Sequence, residues 1–558
     1  MQRSPSNVIR WLFDSRRGAP GRLIPRWIVL RALAAIYFSA FYSLLFQVKG
    51  LIGPEGILPA QQFLAAVARS LGASRYWFVP SLYWVSASSG MLMAVTWIGL
   101  AASVVAFFNL WPRLSFFVCF VCFLSFVTAA GVFSGYQSDG MLLEAGFLAL
   151  FFAPGGLMPG WGANSLPARA SFFLLQWEWF RIYFESGMVK LLSGDPEWRH
   201  FTAMDQYYQN GPLPTWIGWY VQHLPHWFQA ATAGATLVME LGLVLMMFFP
   251  RRVRLICFCI VTPWEIGVIL TANYTFLNYL VLSLGFLLLD DHTLMRFVPA
   301  RFRPPEPVAE PEDEDEAPLS ILKVTEPSAP ALLEKVEQMR ERLTWRRWLG
   351  RRLSALGLAV SVVLLTWVAY DTAAELIALP LGGMSPVFGL PVRVLEPFRI
   401  ANQYGLFAVM TRGRYEIEFQ GSDDGDHWVA YPFQYKPQAL NQPPGIYAPY
   451  QPRFDWNLWF ASLGDWQQNN IVPLTEERLL VSDPAVLALF KSNPFPKTPP
   501  RYVRAVLWQY WFTTMAEKRQ TGNWWRRELV GQYAPELRIT PDGRFAVVEW
   551  PQELPSHD

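Results

Sequence analysis

The feature that most constrains this chain is a series of apolar runs, each long enough to cross a bilayer. Nine such runs are read, near 27–48, 83–108, 114–133, 141–158, 171–192, 227–249, 255–271, 274–290 and 354–376. A helix of about 20 apolar residues spans a hydrocarbon core, and a helix satisfies its own backbone there. Composition agrees: soluble domains carry roughly a quarter charged residues, whereas here 16% are charged. The expected fold class is a polytopic α-helical membrane domain of about nine spans, followed by a mainly-β, sandwich-like exported domain with helical insertions. The opening stretch "MQRSPSNVIRWLFDSRRGAPGRLIPRW" has neither an apolar core nor a small-residue cleavage site. The first span is therefore expected to direct insertion itself.

Sidedness follows from Lys and Arg in the short flanks. Arg10, Arg16, Arg17, Arg22 and Arg26 precede the first span and place the N-terminus in the cytoplasm. Alternation then puts Arg113, Arg169, Arg251, Arg252 and Arg254 inside, along with Arg346, Arg347, Arg351 and Arg352 before the last span. The expected organisation is a cytoplasmic segment 1–26, a membrane domain 27–290 of about eight spans, a cytoplasmic linker 291–353, a last span 354–376 and an exported β-rich domain 377–558. Within the linker, "PPEPVAEPEDEDEAP" is too polar to bury a core and is read as disordered. In the last region, "RYEIEFQGSDDGDHWVAYPF" alternates and turns like a hairpin. A long strand is expected from Arg501, and a helix near 475–491.

Motifs exclude several classes of chemistry. Cys119, Cys122, Cys257 and Cys259 all lie in apolar runs; they predict helix packing, with no disulfide framework, thiol exchange or metal site. Nucleotide-binding and metalloprotease motifs are missing from the sequence, and no basic cluster with interleaved aromatics points to nucleic acid. No cofactor is called for. The sequon Asn273-Tyr274-Thr275 falls in a very short turn against the bilayer and is read as coincidental.

Charges inside the apolar runs need a reason, because they are costly in a bilayer. In "WEWFRIYFESGMVKLLSGDPEW" (177–198), Glu178, Arg181 and Glu185 are spaced three and four apart and share one helix face. They are read as an internal ion-pair ladder that Glu144, Glu240 and Glu265 from other spans complete. Lys190, near the exported end, is the candidate functional group: it could act as a base tuned by Arg181 and Glu185, or snorkel to the surface. Beyond it, Trp198, Tyr207, Tyr208, Trp216 and Trp219, with Trp456 and Trp459 in the exported domain, are candidate anchors for a partner's apolar surface. An interfacial aromatic belt is the competing reading.

Ordered blocks then carry a family resemblance: "LIGPEGILPA" (51–60), "DGMLLEAGFLALFFAP" (139–154), "GMVKLLSGDPEWRHFTAMDQYYQNGPLPTW" (187–216), "ANQYGLFAVMT" (401–411), "GSDDGDHWVAYPFQYKP" (421–437), "APYQPRFDWNLWFASL" (448–463) and "NPFPKTPPRYVRA" (493–505). In these the chain resembles the lipase maturation factor family, polytopic membrane proteins that in animals help secreted lipases fold and assemble. The resemblance implies an exported client protein, a lipase, as partner, alongside the lipid bilayer. A shorter stretch, "YFESGMVKLLSGDPEW", is similar to a segment of vitamin K-dependent γ-glutamyl carboxylases, where the lysine matched by Lys190 is the proposed base. The carboxylase pattern lacks its intramembrane histidine here, since His223, His226 and His292 fall in loops or at span edges. The reading placed first is a non-enzymatic maturation factor. A membrane enzyme using Lys190 and a structural scaffold remain as alternatives. A bacterial cytoplasmic membrane is the favoured compartment, with the endoplasmic reticulum membrane as the eukaryotic counterpart.

Overall fold

A computed structural model describes residues 5–305 and 330–552. The acidic run expected to be disordered lies almost wholly outside the described residues. Among those described, six helices are long and apolar enough to cross a membrane. They are α1 (Leu23–Ile52), α2 (Ser89–Phe107), α3 (Pro112–Ala129), α6 (His226–Leu241, continued by a 3-10 segment to Phe248), α7 (Arg251–Thr271) and, within α9 (Pro330–Leu381), the stretch Trp348–Leu381. The remaining three apolar runs are helical as well. They fall short of spanning length and hydropathy: α4 (Gln137–Phe152) and α8 (Leu277–Gly285) are brief. The last of them, α5 (Arg169–Leu192), is long but carries the charges described above.

Packing explains why these three tolerate weaker hydropathy. α4, α5 and α8 lie inside the bundle, where Leu142, Leu148, Leu175, Trp179, Leu280 and Leu284 are buried in one core. A helix surrounded by protein can carry polar groups that a lipid-facing helix cannot. α6, α7 and α9 are peripheral, and much of their surface is exposed apolar side chain, among it Val238, Ile260, Ile266, Leu356 and Val363. Their continuous hydropathy matches that position.

The last region departs from the expected sandwich. Among the described residues it holds a single sheet, β1 (Arg414–Ser422), β2 (Val429–Ala430), β3 (Tyr502–Phe512), β4 (Trp525–Gln532), β5 (Glu536–Ile539) and β6 (Phe545–Glu549), in the order β2-β1-β3-β5-β6 with β4 also on β3. The hairpin β1–β2 and the long strand β3 are where the sequence pattern puts them. β1 and β3 pair antiparallel with Ile417 opposite Leu507. After a short helix α10 (Pro386–Leu395), a second sheet is replaced by two helices, α11 (Arg453–Ala461) and α12 (Ile471–Leu480), which bury Phe454, Leu458, Val472 and Leu479 against Ile417, Phe419 and Leu507. One apolar sheet face needs one cover, and helices serve as well as strands.

Close backbone approach joins this domain to the bundle. A Cβ on Gly50, near the end of α1, would sit 2.4 Å from the carbonyl oxygen of Ala485, so only glycine fits there. Three residues earlier on the same helix, the Gln47 side chain accepts from Arg453 N at 2.7 Å and donates to Gln451 O at 2.9 Å.

Candidate functional site

The intramembrane charges do not form a simple ladder between helices. Arg181 pairs with Glu144 of α4, lies 3.8 Å from Glu185, and donates to the carbonyl of Asn402 at 2.6 Å. Glu144 in turn accepts from Asn402 N at 3.0 Å, and Glu185 from Tyr404 N at 2.6 Å. Gln137 accepts from Gly405 N at 2.9 Å. The cluster thus grips the backbone of 402–405, the strand of chain that leads from the last span into the sheet domain. Charge-assisted bonds to backbone are the strong ones, and Arg181, Glu144, Glu185, Asn402 and Tyr404 are all buried. Glu178 departs from the expectation: its carboxylate oxygens have no hydrogen-bond partner among the described residues, because Arg181 turns towards Glu144 and Asn402.

The same threaded segment continues past Lys190. Asp195 accepts from Met410 N at 2.7 Å, and Trp198 donates its indole N–H to Phe407 O at 2.9 Å. Lys190 itself is 4% exposed, so it does not snorkel. Its Nζ reaches Ser186 Oγ at 2.6 Å and both oxygens of Glu240 at 2.9 Å, and sits 5.2 Å from the centre of the Trp198 ring. Its donors are spent on these groups. Arg181 and Glu185 belong to the neighbouring cluster, and the group that faces Lys190 is Glu240 of α6.

Lys190 and Glu240 line a cavity of about 350 Å³ between α5, α6, α7, α8 and the segment 404–407. Glu265 lies along it and accepts from the Tyr183 hydroxyl at 2.5 Å. Its walls are largely apolar: Ile182, Phe228, Trp264, Leu277, Val281 and Leu406. Tyr183, Ser186, Asn402 and Tyr404 were not singled out in the sequence. For Tyr183 and Ser186 the signal was available, since each sits on the same helix as Lys190 at a position that can turn towards it.

The aromatic residues expected to receive a partner have mostly another job. Trp198, Tyr208, Trp219, Trp456 and Trp459 are buried, and Tyr207 is half-buried. Tyr207, Phe407, Tyr274 and Trp456 meet edge to face in a chain of ring contacts between 5.2 and 6.3 Å, and Trp219 packs on Trp524 at 5.2 Å. These rings fill the seam between bundle and sheet domain, so they are not free anchors. Trp216 does remain exposed, as does neighbouring Tyr220. Asn273 of the sequon is interior, with its amide on Leu213 O and Gly445 O and its oxygen accepting from Tyr447 N.

Comparison with known proteins matches both halves of this assembly. Residues 24–296 match the lipase maturation factor transmembrane domain, and residues 400–535 the lipase maturation factor C-terminal domain. The chain is similar to lipase maturation factor 2 of Gallus gallus, 33% identical with 96% of this chain and 85% of the relative covered. It is 31% identical to lipase maturation factor 2 of Homo sapiens over 93% of this chain and 83% of that one. With lipase maturation factor 1 of Bos taurus it shares 28% identity, covering 97% and 94%. No solved structure gives a significant match. The matched regions include both sides of the seam, the gripping cluster and the gripped segment, and the chain is an integral membrane protein that belongs to the lipase maturation factor family.

Proposed function

We propose that this protein is a membrane-bound maturation factor that assists the folding and assembly of secreted lipases. The observation that carries the reading is the family match across both the bundle and the C-terminal domain. The geometry supports it: residues 402–410 are fastened into the bundle by buried ionic and polar groups, so the two parts form one rigid platform. A platform beside the membrane suits the holding of an incompletely folded client. In this reading the positive flanks keep the N-terminus cytoplasmic, and the sheet domain is exported, into the periplasm of a bacterium or the lumen of the endoplasmic reticulum. The division at about residues 290 and 377 separates bundle, linker with last span, and client-facing domain. Trp216 and Tyr220, which with Phe201 are exposed aromatics of the loop, are the first residues to test for client contact. An enzymatic reading is not favoured, because Lys190 is engaged by Glu240 and Ser186.

The test is a secreted lipase from the same cell, purified with and without this protein present, its intact mass and its activity per mole recorded together. Lower activity at unchanged mass, when the protein is missing, is the expected outcome. A mass difference would replace the folding role by a covalent modification. If neither quantity moves, that lipase is not a client.

A further inference from the structure

The cavity beside Lys190 has a shape that the maturation role does not require. α6 contributes Phe228, Thr232, Thr236 and Glu240 to its wall, spaced four apart along one face. α7 contributes Trp264, Gly267, Val268 and Thr271, again one face of a helix. The two helices join through the segment Leu243–Phe248 at one end. They pack on different partners, α6 on α5 and α7 on α8, and both helices line the cavity. Pro263 and Gly267 line the cavity and are exposed at the molecular surface, within a helix of spanning length. The cavity therefore opens sideways, at membrane depth. A Cβ built on Gly267 would meet no atom within 4 Å, so the mouth is unobstructed.

Its chemistry narrows what can enter. The volume of about 350 Å³ falls in the range of small-molecule sites. Lys190 is the one cation among the described lining residues, and Glu240 and Ser186 hold it. An anionic head would find no free positive partner and would face Glu240 and Glu265. The side chains along the α6–α7 wall offer acceptors. Thr232, Thr236 and Thr271 each donate to their own helix at 2.9 Å and turn lone pairs outward. Glu265 accepts from Tyr183 through one oxygen and has further lone pairs. A ligand that suits this wall brings hydroxyl donors, no charge, and an apolar tail for Phe228, Trp264, Val268 and Leu277.

We propose that the cavity binds an uncharged, hydroxyl-bearing single-chain lipid of the monoacylglycerol class, which enters laterally from the bilayer between α6 and α7 and places its polar end beside Glu265 and the Lys190–Glu240 pair. The inference does not rest on the lipase reading, and its test uses no client. Full-length protein in phosphatidylcholine nanodiscs is irradiated with a diazirine- and alkyne-tagged monoacylglycerol, then digested and mapped. Adducts concentrated on the cavity faces of 228–240 and 263–271 are expected, competed by excess monoolein but not by oleate, methyl oleate or oleylamine. Gly267→Trp, which places an indole in open space at the mouth, should cut labelling about tenfold with elution volume and Tm unchanged. Adducts spread over the lipid-facing sides of α2 and α9 would overturn the proposal. So would labelling that survives in a folded Gly267→Trp, or equal competition by methyl oleate or oleate. The competition series on the unmodified protein decides the matter even where the variant does not fold.

Discussion

Arg453 and Asp139 lie 314 residues apart in sequence and meet as a two-pronged ion pair, Nη1–Oδ2 2.7 Å and Nη2–Oδ1 2.9 Å, both side chains fully buried. One opens α11 of the C-terminal domain and the other lies in the first turn of α4 in the bundle. Arg453 also donates to Phe133 O at 2.7 Å, and its guanidinium lies 4.8 Å from the centre of the Phe126 ring. The planar fork uses geometry that lysine cannot supply.

Removing one partner of such a pair leaves an uncompensated buried charge, at a cost of about 3–5 kcal/mol. Asp139→Ala and Arg453→Met should each lower the Tm of the purified protein in detergent markedly. Arg453→Lys should rescue little. The double variant should be less damaged than the sum of the singles, since it leaves no orphan charge. Strict additivity in that cycle would mean that the two residues are not coupled.

The gripping cluster yields a second expectation. With Arg181→Gln, Glu144 and Glu185 lose their cation and the carbonyl of Asn402 loses its strongest donor. The segment 399–413 should then become accessible to limited proteolysis while the spans stay protected. Trypsin would report this at Arg399 and Arg412, which border the gripped stretch. Equal cleavage rates in variant and parent would show that the seam holds without the cluster.

How much of this was legible beforehand depended on whether a residue's role is local. Hydropathy located the peripheral spans because a helix facing lipid must be apolar throughout, and the alternation of Tyr415, Ile417 and Phe419 identified β1 because its partner strand reads the same period. The spacing of Glu178, Arg181 and Glu185 places them on one face, and Glu144 from another span is the expected partner that Arg181 selects, but the backbone it grips comes from residue 402. No periodicity encodes that. The aromatic-rich loop reads as an open surface because its cover comes later in the chain, the segment 404–410 about two hundred residues on and β3 and β4 about three hundred. Asp371 and Glu375 of the last span went unnoticed inside a strongly apolar run, yet Asp371 is fully buried.

Lys190 can be separated from mere glue by a double-variant experiment. Lys190→Ala orphans Glu240 and should cost stability, and adding Glu240→Ala should restore part of the Tm. If Lys190 has a role in maturation beyond pairing, lipase activity per mole should remain low in the double variant although stability returns. Recovery of both quantities together would make the pair purely structural.

The C-terminal domain should carry a measurable pH dependence through Asp455. Burial pushes its carboxyl up to about 6 from 3.8, opposed by hydrogen bonds from Lys436 N and Tyr435 N and by the Lys436 charge, with Glu416 nearby adding to the rise. A folded-state value above the unfolded one means that folding favours the protonated acid. That contribution is present in full below about pH 3.8 and is lost as pH rises through about 6. It amounts to about 3 kcal/mol at most, at roughly 1.4 kcal/mol for each pH unit of displacement. Buried Glu476, whose carboxyl is also held well above its usual range by burial, acts in the same direction. Asp455→Asn keeps an oxygen to accept from Lys436 N and Tyr435 N, whose bonds at 3.2 and 3.4 Å both end on Oδ1. Thermal unfolding of parent and variant between pH 4 and 7.5 should therefore show the variant gaining stability on the parent as pH rises, with the difference levelling off above about pH 7. A constant difference across that range would mean that Asp455 is already ionised at pH 4 in the folded protein, with Lys436 outweighing its burial.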